Sequence, residues 1–238
     1  MKYSFDSRVR YSETDEHGRL SIGSLVNYFQ DCAVFQAESI GDSFRDLEGL
    51  HRAWILASWQ ILIDRMPAFG ERVQVSTWAY EFKVFYGLRN FVLADENGPA
   101  CRANSTWILL DMDTMKPVRV PDEVAAAYGC GPKLNMPYCG RKIALPEAIQ
   151  PVEAEHFRIS EHHLDTNHHV NNGQYIQMAL DELEETEGIK QLRIEYRQQA
   201  HLGDEICPQI YRTPELETVV LAGTDGKPYA VAEFTVSS

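Results

Sequence analysis

The chain has 238 residues, 44% hydrophobic and 24% charged, the composition of a globular protein that buries a core rather than a disordered or fibrous one. Lys and Arg number 22 against 35 Asp and Glu, a formal net charge of −13, which repels a phosphate backbone and excludes nucleic acid as an expected partner. The five cysteines are odd in number, scattered and without a CxxC pair, which argues against a disulfide framework and a structural zinc site.

The opening "MKYSFDSRVRYSETDEHG" holds no apolar run of the kind that forms a signal-peptide core. No later stretch approaches the roughly 20 apolar residues of a membrane span. A cytoplasmic protein without a membrane span is therefore expected.

In chain order, residues 21–40 carry apolar side chains at 22, 25, 26, 29, 32, 33, 37 and 40, followed by Gly41. That period predicts a helix with a wide buried face and an end signal. Strands are predicted at 54–63, 72–80, 88–95 and 103–111, with Asn97-Gly98 as a turn between the last two. Residues 129–155 change character, with Pro132, Pro137, Pro146 and Pro151 and glycines at 129, 131 and 140, and read as an irregular connector. A second helix is predicted at 172–184, where Ile176, Ala179, Leu180 and Leu183 share a face, then strands at 191–199, 204–211, 216–222 and 229–236 with a turn at Asp225-Gly226.

The order helix-then-strands thus occurs twice. "DRMPAFGERVQV" (64–75) matches "YRQQAHLGDEIC" (196–207), and "ETDEHGRLSIGSLVNY" (13–28) matches "LDTNHHVNNGQYIQM" (164–178) more loosely. A duplicated α+β unit follows, divided as 1–128, a linker 129–155, and 156–238.

The stretch "LDTNHHVNNGQYIQMALDEL" (164–183) places Asp165, Asn167 and His169 just before a helix entrance. Asn171 as N-cap, with Gln174 at the third helical position, gives a variant capping box, and Val170 and Tyr175 a hydrophobic staple. Neither device needs the trio before it. In an extended strand Asp165 and His169 would lie about 13 Å apart at ~3.3 Å per residue, so joint action requires the segment to curl. A curl would aim the trio beside the first-turn N–H groups near Asn171 and Asn172, which suit a developing oxyanion. Asp165 then accepts a proton from water or orients it, Asn167 holds water or a carbonyl, and His169 donates to the carbonyl or relays a proton. No GxSxG elbow supports a serine triad, so direct attack by water is the simpler chemistry.

His156, His162, His163, His168 and His169 crowd around Asp165, and imidazole with carboxylate suits a divalent transition metal. Yet no HExxH or other ligand spacing is present, and the adjacent pairs His162-His163 and His168-His169 point apart in an extended chain. Neither a metal nor any cofactor is expected.

The stretch 164–183 resembles the signature of the acyl–acyl-carrier-protein (acyl-ACP) thioesterases of plant plastids and bacteria. The resemblance continues through "IEYRQQAHLGDEI" (194–206), "WQILIDRMPAFGERVQVSTW" (59–78), "RANSTWILLDMDTMKPVRVPDEV" (102–124) and "YSETDEHGRLSIGSLVNYFQDCA" (11–33). It implies two tandem hotdog domains, each a long helix wrapped by an antiparallel sheet, with an acyl-chain tunnel in the N-terminal half for which Phe29, Trp54, Trp59 and Trp107 are available. The family's catalytic Asp, Asn and His fall on Asp165, Asn167 and His169. Its Glu-Cys pair falls on Gln199 and Ala200, so Gln199 orients water without being a base and a cysteine nucleophile is ruled out there. Glu195, earlier on the same predicted strand, substitutes only if that strand bends.

The expected activity is hydrolysis of fatty acyl-ACP to free acid and carrier protein, by a monomer or homodimer. The alternatives are an acyl-CoA thioesterase and a non-catalytic acyl-binding protein. An acidic carrier requires a basic surface, for which Arg8, Arg10, Arg141, Lys142, Lys190, Arg193 and Arg197 are candidates.

Overall fold

The computed structural model describes residues 1–41, 51–146 and 148–236, so Glu147 of the connector lies outside it. The chain divides into two compact units, Met1–Ala57 with Ile61–Tyr138, and Ser58–Gln60 with Cys139–Ser238.

In the first unit α1 (Ile22–Ser39) starts at Ser21, whose Oγ accepts from the Ser24 amide at 3.1 Å. Leu25, Val26, Phe29, Cys32, Ala33 and Gln36 form its buried face, at the three-and-four spacing of a helix laid on a sheet. That sheet runs in the order β1 (Tyr3–Arg8), β3 (Arg72–Lys83), β4 (Tyr86–Asp95), β5 (Gly98–Asp111), β2 (Arg52–Ile63, of which Ser58–Gln60 fall in the second unit). Phe29 meets Phe91 of β4 with ring centroids 5.3 Å apart, and the Cys32 thiol lies 3.7 Å from the Val75 carbonyl of β3. The Asn97-Gly98 turn joins β4 to β5 as expected, with Gly98 at φ +113° and Asp95 paired to it. A two-residue β6 (Lys116–Pro117) pairs with β5, and α2 (Asp122–Tyr128) follows.

In the second unit two short strands, β7 (Val152–Glu153) and β8 (Phe157–Arg158), both pair with β10 (Glu205–Arg212). The main order is β9 (Ile189–Tyr196), β12 (Pro228–Val236), β11 (Leu216–Ala222), β10, β7, and α3 (Asn172–Leu180) packs on β11 and β12. The predicted helix overruns here, for α3 stops at Leu180 rather than 184. Asp181, Glu182, Glu184 and Glu185 would all sit at a helix C-terminus, where the dipole disfavours anions. The predicted strand 191–199 also overruns. The amides of Arg197 and Gln198 both donate to the Tyr229 carbonyl, at 2.8 and 3.1 Å, and this doubling ends the ladder. Gln199 therefore lies on a loop beyond β9.

Among the described residues of 129–151 there is no helix or strand, and several of them are held to their own unit. In the first unit Pro132 accepts from Trp78 Nε1 at 2.7 Å and the Leu134 amide donates to Asn90 Oδ1 at 3.0 Å. Gly131 is required there, because a Cβ would stand 2.6 Å from the Trp78 ring. In the second unit Ile143 packs with Val220, Ala222 and Val231. Glu195, 4% exposed, reaches the same stretch: its Oε2 accepts from the Ile143 amide at 3.1 Å and from Arg197 at 2.9 Å, while Arg141 lies 3.8 Å from Oε1. The carboxylate is thus spent on holding the connector, so Glu195 is no substitute base. Arg193 pairs with Glu233 at 2.6 Å. Arg141, Arg193 and Arg197 are therefore partnered by carboxylates of their own unit rather than forming an uncommitted basic patch.

Removing the Glu195 carboxylate strands a buried amide beside two cations. Glu195→Ala is expected to lower the unfolding free energy by about 2–3 kcal/mol, read from urea transitions. A change within ~0.5 kcal/mol, the range of an ordinary surface substitution, would contradict this role.

Candidate active site

Asp165 begins a tight turn. Its amide donates to the His169 carbonyl at 2.8 Å and its carbonyl accepts from the His168 amide at 3.1 Å, while Leu164 and Val170 bridge outside the turn. The side chain closes the same turn from within. Oδ1 of Asp165 accepts from the amides of Asn167 at 2.8 Å and His169 at 3.2 Å. An aspartate leading a turn, followed by a residue at positive φ, is a recognised hairpin connection. His168 takes that conformation at φ +60°, one that disfavours a side chain bearing Cβ. The segment therefore curls, as joint action of the trio requires.

The first unit contains the same turn. Asp15 Oδ1 accepts from the amides of His17 at 3.0 Å and Arg19 at 2.9 Å, the Asp15 amide donates to the Arg19 carbonyl at 2.8 Å, and Gly18 stands at φ +69°. A one-turn 3-10 helix precedes each, Tyr11–Glu13 in one unit and Glu161–His163 in the other.

A second loop also recurs. Val170 donates to the Ala200 carbonyl at 3.1 Å, as Leu20 does to Pro67 at 2.8 Å. Gly203 donates to Ile159, as Gly70 does to Val9, both at 2.9 Å. Asp204 Oδ2 accepts from the His201 amide at 2.9 Å, as Glu71 Oε1 does from Ala68 at 3.1 Å. The textual repeat is thus a repeat of hydrogen bonds.

What differs between the copies is the side chains. Asn167, His169, Gln199 and His201 stand where the first unit has His17, Arg19, Met66 and Ala68. The shared bonds belong to the scaffold; these replacements, with His168 in place of Gly18, are among those that set the second unit apart. Asp165 and His169 are half-buried, Asn167 exposed and Gln199 half-buried. The rings of His169 and His201 meet edge to face with centroids 5.0 Å apart. His201 is the residue that sequence reading passed over. The text of the repeat lines Ala68 up with Ala200; the hydrogen-bond register shifts this by one and sets the His201 imidazole opposite the methyl of Ala68.

Behind the loops Tyr175 accepts from the Ala200 amide at 2.8 Å, and burial pushes its hydroxyl pKa up to about 12, with the charges of Asp204 and Asp165 adding to the push. Tyr196 donates to the Asn172 carbonyl at 2.9 Å. Asn171 caps α3 by accepting from the Gly173 amide at 2.8 Å, so one of the first-turn donors considered for an oxyanion is already occupied by the cap. His162 and His163 do not point apart. Their rings meet at a tilt within the 3-10 turn, 4.0 Å between centroids, and His163 Nδ1 accepts from the Ser160 amide at 3.0 Å. Burial, then the neighbouring His162, holds the His163 pKa below its ordinary 6.5.

Helix on antiparallel sheet, built twice and with a polar turn at the entrance of the second helix, defines a tandem hotdog protein. A structure of an acyl-ACP thioesterase from Bacteroides thetaiotaomicron superposes with a TM-score of 0.90 at 23% identity, covering 99% of this chain and 98% of that one. The 12:0-ACP thioesterase from Umbellularia californica gives 0.86 at 19% identity over 99% and 97% of the two chains. The family models for the acyl-ACP thioesterase N-terminal and C-terminal domains match residues 1–128 and 147–221. The chain belongs to the acyl-ACP thioesterase family, a family of thioester hydrolases.

Among curated relatives, the chloroplastic oleoyl-acyl carrier protein thioesterase 1 of Arabidopsis thaliana is 26% identical over 95% of this chain and 67% of its own length. The chloroplastic palmitoyl-acyl carrier protein thioesterase of the same plant is 24% identical over 80% and 50%. The chain thus spans between half and two-thirds of these relatives. Among the described residues no helix is long and apolar enough to cross a membrane.

If the turn carboxylate is scaffold in both units, its loss has the same stability cost in each. Asp15→Ala and Asp165→Ala are each expected to lose about 1–3 kcal/mol in chemical denaturation, from two amides deprived of a charged acceptor. A cost confined to one of them would contradict the equivalence.

Proposed function

We propose that this chain hydrolyses fatty acyl-ACP thioesters at the turn 165–169, with water as the nucleophile. Oδ1 of Asp165 holds the turn, and Oδ2 is the oxygen assigned to the water. Asn167 fixes that water or the thioester carbonyl through its amide. The water oxygen attacks the carbonyl carbon while its proton passes to Asp165, and His169 donates to the oxyanion that forms. Collapse breaks the carbon–sulfur bond, and the proton taken up by Asp165 passes through the His169–His201 pair to the departing sulfur, which leaves as the thiol. Gln199, beside Ala200 on the second loop, orients water in place of the family's glutamate.

One observation carries this reading. The two units share their loop bonds, yet only the second loads those loops with Asn167, His169, Gln199 and His201. The carrier protein as donor rests on family membership. A preference for acyl-CoA is the outcome that would reassign the donor while keeping the chemistry. Gln199 in the glutamate position favours a second reading, in which an acyl ligand is bound and not turned over, and the wild-type chain would then return acyl-ACP intact.

The test is turnover of an acyl-ACP series of graded chain length. His169→Ala is expected to lower kcat by about 10²–10³, the range for losing a positioned acid or base, while Arg19→Ala at the matching place in the first unit stays within about threefold. His201→Ala is expected to lower kcat with little effect on KM. Equal losses in His169→Ala and Arg19→Ala would contradict the assignment to the second unit.

A further inference from the structure

A second cluster of ligating side chains lies on the edge of the second unit, around β10. Glu205 and Cys207 are two residues apart on that strand, so their side chains leave the same face. Antiparallel pairing of Arg158 with Glu205 and Phe157 with Ile206 carries the chain back so that His156 comes opposite Cys207. His156 sits in the short stretch between β7 and β8, fastened by the Ala154 amide to the Pro208 carbonyl at 3.1 Å.

The spacing of the donor atoms is specific. Nδ1 of His156 lies 3.3 Å from Oε1 of Glu205 and 3.6 Å from Sγ of Cys207, and one ligand atom from each of the three residues lies within 4.8 Å of the others. Tetrahedral zinc bonded to nitrogen, oxygen and sulfur at about 2.05, 2.1 and 2.3 Å sets nitrogen about 3.4 Å from oxygen and about 3.6 Å from sulfur. The side chains already span two edges of that tetrahedron. Imidazole, carboxylate and thiol together select a borderline-soft divalent ion over magnesium or calcium. Arg158 lies 3.5 Å from Oε2 of Glu205, which leaves Oε1 to bind as a single donor. His156 is exposed, and Glu205 and Cys207 are partly exposed.

We propose that His156, Glu205 and Cys207 bind one zinc-class ion, with water as fourth ligand and loss of the thiol proton, and that the ion clamps the end of the connector to β10. This departs from the expectation of no metal, which rested on spacing along the chain. Glu205 and Cys207 stand 49 and 51 positions from His156, beyond any local ligand motif. The proposal does not depend on the thioesterase reading.

The test is titration of the reduced full-length protein with Co²⁺, followed by absorption. The expected result is one equivalent bound, a thiolate-to-cobalt charge-transfer band in the near ultraviolet, strong visible bands of four-coordinate cobalt, and loss of all of them on adding Zn²⁺. Cys207→Ser should abolish the charge-transfer band with an unchanged circular dichroism spectrum. His156→Ala should weaken binding by at least about tenfold, the least that losing even an outer partner of a ligand costs. Replacing the exposed thiols Cys130 and Cys139 by serine should leave the band intact. The proposal is overturned by absence of the band, by its survival in Cys207→Ser, or by its loss in the Cys130/Cys139 variant.

Discussion

A single carboxylate oxygen receiving two backbone amides determines how the candidate site is shaped. Oδ1 of Asp165 gathers the amides of Asn167 and His169, and that convergence turns a stretch that would extend over ~13 Å into a compact hairpin turn. At the low end of the range for a charged acceptor, the two bonds together contribute about 3 kcal/mol. Against this stands the cost of holding His168 in the left-handed region, about 1–2 kcal/mol for a residue with a Cβ. Two charged hydrogen bonds outweigh one strained residue, and the turn closes. In the first unit Gly18 takes the same conformation without that penalty.

The turn would be of little use without a fixed neighbour. The Val170–Ala200 bond ties it to the loop bearing Gln199 and His201, and Tyr175 holds that loop from behind through the Ala200 amide. His169 and His201 are thereby brought ring to ring by backbone anchors on both sides. The proposed function thus rests on a scaffold made twice and equipped once. This division separates residues that shape the loops, such as Asp15, Gly70 and Gly203, from residues whose only distinction is their chemistry.

Much of this was legible in the sequence because periodicity and repetition record burial directly. The α1 face, the Asn97-Gly98 turn and the twofold order of helix and strands follow from apolar spacing and turn chemistry. β1 was not legible: "YSFDSR" is short, polar on alternate positions and lacks branched aliphatic residues. The ends of α3 and β9 were misjudged because a run of acids and a doubled bond to Tyr229 act against a favourable apolar pattern. The trio Asp165, Asn167 and His169 stood out by residue type, whereas His201 required aligning the two loops. The commitment of Glu195 to the connector, and the meeting of His156 with Glu205 and Cys207, arise from pairing across strands, which no local reading of the chain contains.

In Asp165 a structural and a chemical duty coincide, and the two separate when the charge is removed but an oxygen acceptor is retained. The decisive measurement is turnover of acyl-ACP by Asp165→Asn, beside Asp15→Asn, with the stability of each recorded. The account predicts that both fold with nearly wild-type stability, that Asp15→Asn turns over normally, and that Asp165→Asn is slower by about a hundredfold or more. Full turnover by a stable Asp165→Asn would contradict it, leaving that carboxylate only its part in shaping the turn.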